Sequence, residues 1–280
     1  MKHHLTKILY VQHKTFGDVL IGTAIVRALA SKYKNSSIDF YTTAVCAPIL
    51  FKNPDVGIIY TERRPPVLED YDIVFRPYRC LQTSGGWHLN NRHWMDLYAN
   101  ICGVSLCRDY RTYFYDIQPI TLPHERYVVI QCKTNDRSKD YGRFYEVVKL
   151  LNERGLPVIQ VGSANDPLIE GVSSRMINFP WSQVAYVIKK AVSTICLDSA
   201  IQHLAGAVGA PYIALYGPKG MDLVRSGSVV GSYEEKQFGI LPDYDGCKCL
   251  TPMCHLAMCH NTDGHCMDTI DPKAIVDLIN

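Results

Sequence analysis

Short β-branched and aromatic runs alternate with longer segments of helical period along most of the chain, and this alternation constrains the fold more than any other feature. In the first half the runs are Ile8 to Val11, Ile38 to Tyr41, Ile58 to Tyr60 and Ile73 to Phe75. The segment Val19 to Tyr33 follows the first run. There Val19, Leu20, Thr23, Ala24, Arg27 and Ala28 recur at three and four residues, so one face of a helix packs on a sheet. A second set follows the turn-rich stretch Gln118-Pro119-Ile120-Thr121-Leu122-Pro123. Its strands are Val128 to Gln131, Val158 to Val161, Thr194 to Leu197 and Tyr212 to Leu215, with helices at about 142–153, 183–190 and 200–208. Such alternation calls for βαβ units and parallel sheets, an α/β fold. A chain of 280 residues has room for two domains of about 100–150 residues each. Two α/β halves joined near residue 120 are expected, with no internal repeat.

Composition excludes several function classes. Lys plus Arg is 29 and Asp plus Glu is 27, a net charge of +2, far from the basic balance of a protein that grips nucleic-acid phosphate over a broad face. No run of 18 apolar residues is present, and Met1-Lys2-His3-His4 leads into a short apolar segment without a signal-peptide cleavage site. A soluble, cytoplasmic protein is expected.

Three constellations carry polar chemistry beside strand ends. After the first strand, His13-Lys14-Thr15-Phe16 leads into Gly17-Asp18 at a helix start. Glycine admits a close backbone or ligand, and the helix dipole favours the Asp18 carboxylate. At the carboxyl end of the first strand of an open α/β sheet that residue faces the ligand crevice; the same spacing also reads as an N-cap aspartate. The second is Leu197-Asp198-Ser199-Ala200-Ile201-Gln202-His203-Leu204, a strand ending in a helix start. Its free hydroxyl and amides suit a phosphate, Asp198 suits ribose hydroxyls, and His203 lies one turn in. Taken singly these are also a capping pair and a helical histidine. The third is the basic loop Lys133-Thr134-Asn135-Asp136-Arg137-Ser138-Lys139-Asp140-Tyr141, which suits a diphosphate with Lys139 as point charge, or is a solvated loop.

Together these pieces resemble glycosyltransferase family 9, the heptosyltransferases of bacterial surface-glycan synthesis. The resemblance lies in KILYVQHKTFGDVLIGTAIVRALASKY, in SKDYGRFYEVVKLL and above all in LDSAIQHLAGAVGAPYIALYGP, which is similar to the family's DSG-x-x-HLA-A-x-G-x-P-x-x-A-L-[FY]-GP stretch. It implies a GT-B fold: two Rossmann-like parallel-sheet domains facing a central cleft. Residues 1–118 would form the acceptor side, 119–245 the nucleotide-sugar-binding side, and 246–280 a cysteine-rich segment with a terminal helix. It further implies an inverting transfer, needing no divalent metal for chemistry, from a nucleotide-sugar donor (ADP-heptose by family default) to a glycan or protein acceptor. Asp18 matches the catalytic base, Lys139 the lysine on the donor diphosphate, and Asp198, Ser199 and His203 the donor-binding turn. Gly17, Thr134 and Asn135 fall near further donor contacts. Ala200 stands where the family has glycine, and Lys219 follows Gly217-Pro218 where a small hydroxyl residue is common. The short N-terminal half argues against lipid A core as acceptor.

The chain holds 11 cysteines. Cys46, Cys80, Cys102, Cys107, Cys132 and Cys196 stand singly and read as small buried apolar residues. Cys247, Cys249, Cys254, Cys259 and Cys266 crowd together with His255, His260 and His265 between them. Four thiolates suit a structural zinc or iron, and Cys249, Cys254, Cys259 and Cys266 are the candidate set; thiols without a metal are the alternative. Relatives that glycosylate bacterial proteins hold iron in such a segment, which the resemblance extends to this chain. Competing readings are a transferase acting on a protein or nucleic-acid acceptor and a non-catalytic nucleotide-binding module that assembles with partners; a homo-oligomer is left open. His88, Arg92, His93 and Trp94 form a polar-aromatic group suited to an acceptor, whereas Trp94, Leu97, Tyr98 and Ile101 at helical spacing read as a buried face.

Overall fold

The first apolar run becomes strand β1 (Thr6–Val11), and the helical segment after it becomes α1 (Phe16–Lys32). A computed structural model describes residues 5–83, 93–107, 109–217, 227–228, 237–242 and 266–279. By internal contacts the chain divides into two units, Met1–Asp116 with Ser226–Val230 and Ile117–Arg225 with Gly231–Asn280. Each holds its own parallel sheet.

In the first unit β1 is followed by β2 (Ser36–Tyr41), β3 (Ile59–Tyr60) and β4 (Ile73–Phe75), in the order β3-β2-β1-β4. Ile8 registers with Ile38 on one side and Ile73 on the other. Ile8, Leu9 and Tyr10 are fully buried, as a central parallel strand covered on both faces requires. Helix α1 lies close to the sheet because Gly22 lacks a side chain: a Cβ there would stand 3.0 Å from the Phe40 ring and 3.1 Å from the Tyr10 ring. Two more helices, α2 (Pro77–Thr83) and α3 (Trp94–Ile101), and the short strand β5 (Asp109–Tyr110) complete this part of the chain. On α3 the expected apolar face is buried at Leu97 and Tyr98 but only half-buried at Trp94 and Ile101, and Met95 and Ala99 join it.

The second unit runs β6 (Val128–Gln131), α4 (Phe144–Glu153), β7 (Val158–Gly162), β8 (Ser174–Ile177), α5 (Trp181–Lys190), β9 (Ser193–Leu197), α6 (Ala200–Ala207) and β10 (Tyr212–Leu215). Strand β11 (Gly227–Ser228) then pairs antiparallel with β5 in the first unit. The chain returns as β12 (Gln237–Ile240) and ends in α7 (Pro272–Asp277). The sheet order is β12-β10-β9-β6-β7-β8, all parallel.

Residues 266–279 seat in the core of this unit. Met267, Ile275 and Val276 are fully buried against a cluster that includes Val128, Phe144, Val147 and Val158, and each such side chain contributes about 1.5–3 kcal/mol of burial. The Tyr141 hydroxyl donates to the Ile270 carbonyl at 3.0 Å, and the Gly142 amide to Asp268 Oδ1 at 2.7 Å. The loop that carries Lys139 is thereby tied to the C-terminal segment. Of the isolated cysteines, Cys46, Cys102, Cys132 and Cys196 are buried as expected, whereas Cys80 and Cys107 are exposed; Cys107 occupies a turn at φ 49°.

Candidate functional site

Strand order places the polar residues. In the first sheet the chain moves from β1 outward through β2 and β3, then crosses to the other side of β1 for β4. The second sheet repeats the device: β6, β7 and β8 proceed one way, and β9 returns to the opposite side of β6. Such reversals open crevices beyond the carboxyl ends of the strands, where open α/β sheets bind ligands. The loops after β1, β6 and β9 carry the candidate residues.

In the first unit Thr15 is the N-cap of α1, and Asp18 sits on the first turn behind the buried Gly17. Asp18 Oδ2 accepts from the Thr15 amide at 3.1 Å and from its hydroxyl at 2.8 Å. This reciprocal box differs from the N-cap aspartate weighed from the sequence: Thr15 occupies the cap, so Asp18 lies a turn inside. Asp18 Oδ1 accepts from the Tyr98 hydroxyl at 3.4 Å. Burial, and then the Asp18 charge, raise the Tyr98 pKa well above the ordinary phenol value, so this hydroxyl stays protonated. Nearby, His13 stacks edge-on to Tyr41 at 4.1 Å, and burial with the Arg76 charge lowers its pKa. The Lys14 ammonium stands 4.6 Å over the Tyr78 ring, and Cys46 Sγ donates to the Lys14 carbonyl at 3.6 Å.

In the second unit Lys139 and Asp198 meet. Lys139 Nζ lies 2.6 Å from Asp198 Oδ2 and donates to the Asp198 carbonyl at 3.0 Å. Their side chains are 14% and 6% exposed, so the loop is not simply solvated. An ammonium has three donors, and these two contacts leave one. Gly217 lets the loop approach: a Cβ there would stand 3.2 Å from the Ser138 carbonyl oxygen. Ser199 caps α6, accepting from the Ile201 amide at 3.2 Å.

The Ser199 hydroxyl, expected from the sequence to be free, is engaged. It donates to Gln131 Oε1 at 2.9 Å, and the same oxygen accepts from the Leu197 amide at 3.4 Å. The Gln131 amide nitrogen donates to the Lys133 carbonyl. Gln131, buried at the end of β6, thus joins the start of the basic loop to the start of α6. Sequence reasoning took it only as the last residue of a strand; a polar residue ending an otherwise apolar run was the available signal.

His203 is buried on the first turn of α6. Thr134 closes its own turn, its hydroxyl donating to the Asp136 carbonyl at 3.0 Å and accepting from the Asp136 amide at 3.1 Å. The structure therefore gathers Lys139, Asp198, Ser199 and His203 around the β6 and β9 ends, with Thr134 in the adjoining turn, and holds Gly17 and Asp18 at the β1 end of the first unit. Cys266 is buried in the 3₁₀ turn that precedes α7. Cys249, Cys254 and Cys259 lie outside the described residues, as do His88, Arg92 and Lys219. Among the described residues no group of three or more His, Cys, Asp or Glu side chains is placed to hold a metal ion. None of their helices is long and apolar enough to cross a membrane.

Comparison with solved structures gives the same fold. A glycosyltransferase of family 9 from Veillonella parvula superposes with a TM-score of 0.65 at 16% identity, covering 86% of this chain and 86% of that one. The iron-containing dodecameric glycosyltransferase TibC from enterotoxigenic E. coli gives 0.76 at 17% identity, covering 98% and 77%. TibC has also been solved in complex with ADP-D-β-D-heptose. The E. coli ADP-heptose lipopolysaccharide heptosyltransferase II gives 0.68 at 16% identity, covering 98% of each chain. These likenesses establish two Rossmann-like units of the GT-B class. No curated protein sequence matches the chain. The sequence profile of glycosyltransferase family 9 (heptosyltransferase) matches residues 103–258, more than half of the chain, and the protein belongs to that family.

Proposed function

We propose that this glycosyltransferase moves a sugar, heptose by family default, from a nucleoside-diphosphate donor to an acceptor hydroxyl with inversion at the anomeric carbon. The observation that carries the reading is the convergence of Lys139, Asp198 and the capped start of α6 where the second sheet reverses. The remaining Lys139 N–H and the first-turn amides of α6 are positive groups suited to the donor diphosphate. Asp198 fixes the ammonium, and its other oxygen suits a ribose hydroxyl. Thr134 and His203 border this donor site, and Gly17 lets the backbone come close beside Asp18.

Asp18 acts as general base. Thr15 occupies Oδ2, so Oδ1 takes the proton of the acceptor hydroxyl as its oxygen bonds to the anomeric carbon. The bond from that carbon to the donor phosphate oxygen breaks, and the nucleoside diphosphate leaves with the electron pair. Lys139 and the α6 amides stabilise the charge it gains, the task a divalent metal performs elsewhere. A general base of this kind contributes roughly 10²–10⁴-fold.

A structural zinc or iron held by Cys249, Cys254, Cys259 and Cys266 belongs to the same proposal. Four thiolates suit either ion. Cys266 is buried directly before Met267 and Asp268, which anchor this segment to the core and to Gly142. When bound, the metal supplies cross-linking rather than transfer chemistry. Self-association is proposed on the precedent of dodecameric TibC, and light scattering of the purified protein tests it.

The functional test is a thermal-shift screen of nucleotide sugars followed by measurement of donor turnover. A bound donor raises apparent stability by mass action. ADP-heptose is expected to stabilise the protein and be consumed. Stabilisation by another donor alone would replace heptose, and a bound donor left intact would leave a non-catalytic binding module.

A further inference from the structure

We propose that Tyr98 is the positioning residue for Asp18, holding Oδ1 in the orientation that receives the acceptor proton. The inference rests on the reading of Asp18 as the base. Tyr98 is fully buried on α3, and its hydroxyl reaches Asp18 Oδ1 at 3.4 Å. Thr15 grips Oδ2 with both amide and hydroxyl. The carboxylate is thus held from two sides by two elements, and with Thr15 alone it could swing about its Oδ2 contacts.

The helix that delivers Tyr98 is itself fixed. His93 caps α3, accepting from the Met95 amide at 3.2 Å, and stacks on Tyr110 at 3.6 Å. The Tyr110 hydroxyl donates to Asp96 Oδ2 at 2.6 Å. Beyond the far end of α3, Lys32 at the end of α1 donates to the Gly103 carbonyl at 2.7 Å. Helices α1 and α3 are therefore joined at Asp18 and again at Lys32. Both groups that orient Asp18 stand on a rigid frame, as precise proton transfer requires. Because the raised Tyr98 pKa keeps the phenol protonated, it donates to the carboxylate and does not compete for the acceptor proton.

The test is a double-mutant cycle on the full chain, reading release of ADP from ADP-heptose with water as acceptor. Tyr98→Phe retains the buried ring. It is expected to lower kcat about tenfold, with KM for ADP-heptose and Tm close to wild type, and Asp18→Asn to lower kcat about a hundredfold or more. In the Asp18→Asn background Tyr98→Phe should cost nothing further, because a positioning residue acts only through the group it positions. Wild-type kcat in Tyr98→Phe, beside a disabled Asp18→Asn, would overturn the inference and leave the base reading intact. An equal loss from Tyr98→Phe in both backgrounds would also overturn it, by showing a purely structural role. Full activity in Asp18→Asn would remove the base reading and this inference with it.

Discussion

Replacing Lys139 with alanine removes the cation from a carboxylate whose side chain is 6% exposed. The two charges lie 2.6 Å apart, and at an effective dielectric constant near 20 their gross attraction is about 6 kcal/mol. Much of that is offset by desolvating both groups, so the intact pair adds little net stability. Deleting one partner is different, because Asp198 is then buried without compensation, at a cost of about 3–5 kcal/mol. Against a total of about 5–15 kcal/mol for a native protein, that is a large loss. Lys139→Met combined with Asp198→Leu replaces both charges with apolar groups and should lie within about 1 kcal/mol of wild type or above it. Urea unfolding gives the free energies, and hydrogen exchange of the β6 and β9 amides reports the second unit by itself. A Lys139→Ala protein within about 0.5 kcal/mol of wild type would refute the buried pair. A double variant as unstable as the single would refute the argument that the unpaired Asp198 is the cause.

Met267→Ala should destabilise the second unit by about 2–5 kcal/mol, since Met267 is fully buried in its core, and the urea midpoint checks it. Gln131→Leu removes the acceptor shared by Ser199 and the Leu197 amide; it should weaken ADP-heptose binding about tenfold by calorimetric titration, whereas Gln131→Glu, which keeps an acceptor oxygen, should weaken it less. Burial and then the Cys80 charge push the Cys102 thiol up to about 12. An unfolded thiol ionises from about pH 8.5, so at higher pH the unfolded state sheds a proton the folded state keeps. Stability therefore falls as pH rises through this window. Cys102→Ala should make the alkaline decline shallower in pH-dependent urea titrations.

The innermost strands β1 and β6 were readable because each holds a continuous apolar run, Ile8 to Tyr10 and Val128 to Ile130. The edges were not. Strand β8 carries Ser174-Arg175-Met176-Ile177 with only Met176 buried, and β12 begins with a glutamine, so neither shows the run that marks a covered strand. Helix α1 begins three residues before Val19 because the Thr15 and Asp18 box, absent from a reading of apolar spacing, sets its start. Asp18, Lys139, Asp198 and Ser199 stood out because they follow strand ends and share the family's motifs. Gln131 did not, since its partner Ser199 is 68 positions away. Tyr98 was read as core from helical spacing, correctly for its ring, and periodicity says nothing about where a buried hydroxyl ends.

The proposed transfer chemistry depends most directly on Asp18. Purified wild type and Asp18→Asn would be compared for equilibrium binding of ADP-heptose and for the rate at which its sugar is transferred. Equal binding and a transfer rate lower by roughly 10²-fold or more are expected of the variant. Transfer at the wild-type rate by Asp18→Asn would contradict that chemistry.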